Sequence, residues 1–147
     1  MQPAPETLAA WRLVLETHSR VVPRLDQELR EAHGLRLDWY DVLLQLHEAG
    51  GRLRMYELAR ATLISRTDCT RIVDRMERAR LVRRESAGED GRGVFAALSA
   101  AGLAALREAA PTHLAGIERL FASHVAPTEA GAMSTALGRV AANLDSQ

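Results

Sequence analysis

Between Ser65 and Arg78 the chain reads SRTDCTRIVDRMER, a run in which arginine and threonine recur at spacings of three to five. Wound as a helix, it carries Cys69, Ile72, Val73 and Met76 on one side. Thr67, Thr70, Arg71, Asp74 and Arg78 share the other, with Arg66 and Arg75 at the borders. Arginine's planar fork of donors fits phosphate oxygens and the acceptor edge of guanine, and threonine hydroxyls serve either base or backbone. Ser65 followed three residues later by Asp68 has the form of a capping box, which opens the helix and runs it to about Ala79. The short polar and basic side chains therefore crowd the helix N-terminus. That end offers free N–H groups and partial positive charge, and a recognition helix enters the major groove by it. The chemistry on offer is nucleic-acid reading. A solvated helix face would show the same polarity, so the wheel alone does not decide.

A second basic cluster borders the stretch RRESAGEDGRGVFAALS, Arg83–Ser99. Leu81–Glu85 and Val94–Leu98 are strand-like, and Gly88, Gly91 and Gly93 let the chain turn between them, so a β-hairpin is expected. The loop lacks the Lys-Ser/Thr ending of a P-loop. A short helix at Met55–Arg60, a turn at Thr62–Ile64 and the Ser65 helix make a helix-turn-helix, with the hairpin as its wing. Asp74 on the polar face would repel phosphate by itself, so a cation is expected beside it, either Arg92 or Arg71. Of Arg83 and Arg84, one is expected to face phosphate and the other solvent.

These residues need a frame. Residues 7–33 read as a long amphipathic helix with Leu8, Trp11, Leu15, His18, Val22, Leu25 and Leu29 as its seam, kinked but not ended at Pro23 and closed by Gly34. Asp38 is expected to cap a second helix, Trp39 to about Ala49, stopped by Gly50-Gly51. Arg52–Arg54 reads as a short extended piece. Ser99 caps another long helix, interrupted at Pro111, and after Val125–Thr128 a last helix carries Met133, Leu137, Val140 and Leu144 on one stripe. The fold class is mainly α with a small β-hairpin wing. Segments 1–37 and 99–147 supply helices with apolar seams around a winged helix-turn-helix segment 38–98, in one compact chain with no independent second domain.

Bulk properties agree. The 147 residues, 47% apolar, suit one domain, and 19 basic residues balance 19 acidic ones. Locally, residues 52–93 hold eleven arginines against seven acids, while both flanks are slightly acidic. The single cysteine, Cys69, excludes an internal disulfide and is expected to pack in the core rather than sense oxidants. No signal peptide and no membrane-spanning run is apparent, so a cytoplasmic protein is expected. The five histidines lack metal-ligand spacing, and no catalytic arrangement is legible; neither metal nor cofactor nor enzymatic activity is expected.

The segment LRMYELARATLISRTDCTRIVDRMERARLVRR, with EDGRGVFAALSAAG after it, resembles the winged helix-turn-helix core of the MarR family of bacterial transcription regulators. The wing signature of that family is matched by Asp90, Arg92, Leu98, Ser99 in place of Thr, and Gly102. Two positions depart from it. Arg80 stands where the family usually has Gly, and a left-handed Arg there costs roughly 1 kcal/mol. Gly91 stands where a further basic residue is common. The resemblance implies an obligate homodimer in which segments 1–37 and 99–147 are interlocked dimerisation helices and segment 38–98 binds double-stranded DNA at a pseudo-palindromic operator. Ser65, Arg66, Thr67, Thr70, Arg71, Arg75, Arg83, Arg84 and Arg92 are its candidate DNA contacts, with Asp74 and Asp90 supporting the wing. It also implies a small-molecule effector, expected to be aromatic or phenolic. Trp11, His18, Trp39 and Tyr40 are the candidate ligand residues, although packing alone would also account for them. The expected function is a ligand-relieved repressor; the competing one is a helical protein-interaction module of the same fold that no longer binds DNA.

Overall fold

A computed structural model describes residues 1–62, 64–86 and 93–147. The elements follow the order α1 (Pro5–His33), α2 (Leu37–Glu48), β1 (Arg52–Arg54), α3 (Met55–Ala61), α4 (Arg66–Arg78), β2 (Val82–Ser86), β3 (Val94–Leu98), α5 (Ala100–Leu120) and α6 (Pro127–Asp145). The expected hairpin is present, and β1 joins it as a third antiparallel strand in the order β1-β3-β2. Arg54 lies opposite Phe95 on one side of β3, and Glu85 lies opposite Phe95 on the other.

The chain forms two compact units, one of Val22–His113 and one of Met1–Val21 with Leu114–Gln147. The expected DNA-binding segment 38–98 lies inside the first, which also takes in the end of α1 and most of α5. Its core gathers Leu29, Val42, Leu43, Leu46, Leu58, Val73, Met76 and Val82, each fully buried. The alternation of spacings in α2 and α4 explains this, since residues three and four apart share a face and these faces meet. In the second unit no apolar side chain is buried; Leu8, Trp11 and Leu15 of α1 and Leu137, Val140 and Leu144 of α6 are all exposed.

Two sequence expectations are corrected. Asp38 does not cap α2: it sits in the first turn and pairs with the Arg36 side chain at 2.9 and 3.1 Å. The orphan Leu37 N–H donates instead to Asp26 Oδ1 of α1 at 2.8 Å, and Asp26 Oδ2 is held by Arg30. A tertiary acceptor thus replaces the local one. Nor does Pro111 interrupt α5, which continues from Ala100 to Leu120. A proline deletes one hydrogen bond, which neighbouring turns of a long helix can absorb by bending.

Candidate nucleic-acid interface

The polar face of α4 is built as its sequence requires. Ser65 Oγ accepts from the Asp68 N–H at 3.1 Å and donates to Asp68 Oδ2 at 2.9 Å, so cap and acid are locked together. Cys69, Ile72, Val73 and Met76 are buried, the apolar face read from the wheel. Arg66, Thr67, Thr70, Arg71, Arg75 and Arg78 are exposed on the opposite side. Thr70 Oγ1 donates back to the Arg66 carbonyl at 3.0 Å, which leaves its oxygen lone pairs outward as an acceptor. Arg71 pairs with Asp68 on the preceding turn, which draws its guanidinium toward the helix N-terminus.

Strand alternation sorts the two arginines that open the wing. Arg83 is exposed and pairs with Glu85 at 3.3 Å, whose other oxygen lies 3.7 Å from Arg52. Arg84 points the other way, into α4. It pairs with Asp74, donates to the Thr70 carbonyl at 3.3 Å, and its backbone N–H donates to Glu77 Oε2 at 2.8 Å. The cation beside Asp74 is therefore Arg84, not Arg71, which is taken by Asp68. Helical spacing could not show this, because the pairing depends on which face of β2 meets the helix. Arg92 and Asp90 lie outside the described residues, as does Gly91.

Sequence reasoning also missed a group on β1 and β3. The Arg52 guanidinium lies 3.9 Å above the Phe95 ring and that of Arg54 lies 4.8 Å from it, both within cation–π range. Period-two alternation of R-L-R against V-F-A is the signal, but it becomes readable only once the register is known. A cleft of about 750 Å³ opens beside this pair, lined by Arg54, Met55 and Tyr56, by Arg66 and Thr70 of α4, and by Gly93 and Val94 at the wing base.

The expected ligand residues fall in different surroundings. Trp11 and His18 are exposed on α1. Trp39 is partly buried, and its indole N–H is enclosed with no hydrogen-bond partner among the described residues. Tyr40 is buried with its ring 4.6 Å from that of His113, and burial raises its phenol above the ordinary 10.0. Burial likewise raises the Cys69 thiol, a group 1% exposed, against the smaller opposing effects of the Thr62 hydrogen bond and the Arg84 charge. Both the burial and the raised thiol disfavour the reactive thiolate, in keeping with a packing role.

Comparison with known proteins places this arrangement. The model of the MarR family matches residues 33–93. Along its whole length the chain is similar to AbsC, a MarR family transcriptional regulator from Streptomyces coelicolor. The two are 36% identical over 100% of this chain and 99% of that one, with a TM-score of 0.89. The chain belongs to the MarR family of transcriptional regulators. It is also similar to Sco3205, a MarR family regulator from the same organism solved in complex with DNA, at 30% identity over 97% of this chain and 94% of that one, TM-score 0.88. BpsR of Bordetella bronchiseptica, studied for regulation of its DNA binding by 6-hydroxynicotinic acid, shares the fold at 20% identity, covering 90% of this chain and 98% of that one, TM-score 0.78. None of the curated proteins matches the chain significantly. Among the described residues, no helix is long and apolar enough to cross a membrane.

In this MarR chain the Ser99 and Gly102 positions of the wing signature have a structural cause. Ser99 Oγ donates to the Arg80 carbonyl at 2.7 Å and accepts from the Gly102 N–H at 2.9 Å, while the Ser99 N–H donates to the Leu81 carbonyl at 3.1 Å. The start of α5 is thereby fastened to the end of α4 and the entry to the wing. A Cβ on Gly102 would lie 2.1 Å from the Leu81 carbonyl oxygen, so only glycine permits the approach. Arg80, whose place in the turn the sequence left open, takes the left-handed conformation, φ +66°. Leu81 N–H bonds to the Met76 carbonyl and Arg80 N–H to that of Glu77, the paired closure of a Schellman cap.

Proposed function

We propose that this chain acts as a dimeric, ligand-responsive repressor that binds a pseudo-palindromic operator, with the recognition helix 65–79 in the major groove and the wing 86–93 on the minor groove. The observation that carries this reading is the outer face of α4. Arg66, Thr67, Thr70 and Arg71 stand exposed at its N-terminal half while the opposite face is locked in the core. In that pose Thr70 and Arg71 reach base edges, and Arg66, Thr67, Arg75 and Ser65 reach the flanking phosphates. Arg83 and Arg92 serve the wing. Arg84 supports it from beneath, bound to Asp74, rather than touching DNA.

Dimerisation is supported by the terminal unit, where α1 and α6 carry apolar stripes with nothing to cover them in a single copy. A second copy supplies the missing surface. An aromatic or phenolic effector is supported by the Trp39 indole N–H, which has no partner among the described residues; a flat ligand bearing an acceptor would satisfy it once the packing around it opens. Such a ligand relieves repression by favouring a dimer whose two reading heads no longer match the half-sites.

The test is footprinting and anisotropy titration on the promoter DNA beside the chain's own gene, at stated salt. Protection of a two-fold site, with affinity at least about a thousandfold above scrambled duplex, is the expected result. Thr70→Ala with Arg71→Ala should lower that ratio. Sequence-blind micromolar binding would overturn the proposal in favour of an interaction module.

A further inference from the structure

The sugar–phosphate strand that separates a major groove from the adjacent minor groove has to pass between an element in one and an element in the other. In this protein the space between α4 and the wing base is the cleft lined by Arg54, Tyr56, Arg66, Thr70, Gly93 and Val94. Resting on the DNA-binding reading above, we propose that this cleft is a phosphate clamp for that strand. Arg54 and Arg66 are its cations, and Phe95 is a positioning residue that sets the Arg54 guanidinium.

Three features carry the inference. The cleft walls bring together cations from two separate elements, Arg54 beside the first turn of α3 and Arg66 from that of α4, with Tyr56 also in the lining. A phosphate needs converging donors of this kind, and a guanidinium offers two in parallel. Next, Arg54 and Phe95 face each other directly across the β1–β3 ladder, so the ring lies under the side chain by register rather than by chance. The aromatic face holds a long, flexible side chain over one surface and reduces the rotamer freedom lost on binding. Lastly, the same ring carries Arg52, so Phe95 packs against both arginines of β1, of which Arg54 lines the cleft. Gly93, at φ +82°, brings the wing base close to the cation: a Cβ there would lie 3.9 Å from the Arg54 guanidinium, an ordinary contact.

A clamp of this type reads no sequence. Arg54→Ala in the full-length protein should weaken operator and scrambled duplex alike, by about eightfold at 0.1 M salt. The slope of log affinity against log salt should fall by about 0.9, the signature of one lost phosphate contact. Phe95→Leu should show part of the same slope change. Combined with Arg54→Ala, it should add little, because it acts through that residue. Phe95→Tyr keeps the ring and should bind as wild type; it decides the matter if the Leu variant folds poorly. The inference is overturned if wild type binds its operator but Arg54→Ala keeps both affinity and slope. Fully additive effects of the two substitutions would equally overturn the positioning role. Failure of wild type to bind any duplex specifically would instead sink the DNA-binding reading itself.

Discussion

Replacing Arg80 by glycine should stabilise the protein, and the size of the gain can be worked from its backbone. At φ +66° an L-residue carries a steric penalty of about 1–2 kcal/mol from its Cβ. Both Schellman bonds, Leu81 N–H to Met76 and Arg80 N–H to Glu77, and the Ser99 bond to the Arg80 carbonyl involve main-chain atoms at this position and survive the change. Glycine gives back about 0.5–1 kcal/mol through the greater freedom of the unfolded chain. The net gain is about 0.5–1 kcal/mol, or roughly 1–4 °C in Tm for a chain of this size. Urea and thermal unfolding followed by circular dichroism, at one fixed protomer concentration, would measure it. Arg80→Ala is the control: it removes the charge but keeps the Cβ, and should gain nothing. If alanine stabilises as much as glycine, repulsion among neighbouring arginines is the cause and the backbone reasoning is refuted.

Two further outcomes are expected. The Asp74–Arg84 pair should give a coupling of about 0.5 kcal/mol in a double-mutant cycle to alanine, at the low end for ion pairs because the Asp74 side chain is 41% exposed; zero coupling would show that the pair does not tie wing to helix. Burial holds the His113 imidazole below its ordinary 6.5 against the weaker pull of the Glu28 carboxylate, so the unfolded chain binds the proton more readily. Stability from this group is complete above pH 6.5 and is lost as pH falls toward the depressed value; His113→Phe should flatten that acid limb, and an unchanged slope refutes the assignment.

Signals that act within a few residues were legible in the sequence. Ser65 with Asp68 marks where α4 begins, Gly50-Gly51 where α2 stops, and the spacing of Cys69, Ile72, Val73 and Met76 which face is buried. Each rests on dihedral preference or helical period, which a short window contains. Pairings that cross between elements were not legible. Asp26 outcompetes Asp38 for the start of α2 from eleven residues upstream. Arg84 rather than Arg71 meets Asp74 because β2 turns that side of its pleat toward the helix. Phe95 joins Arg52 and Arg54 only through a ladder between strands some forty residues apart. Register and docking angle decide such contacts, and neither is written in local composition.

The three bonds of Ser99, with the bare backbone of Gly102 pressed against the Leu81 carbonyl, leave no slack where α5 begins. Most machines place a joint where a lever meets its tool; here the two are welded. A bend at the first turn of α5 would have to break the Ser99 bonds to Arg80 and Leu81, which tie that turn to the end of α4 and the entry to the wing. If a ligand relieves repression as proposed above, it has an intact tool to re-aim, and loosening the weld by Ser99→Ala should uncouple that ligand's effect from the DNA before it harms the grip.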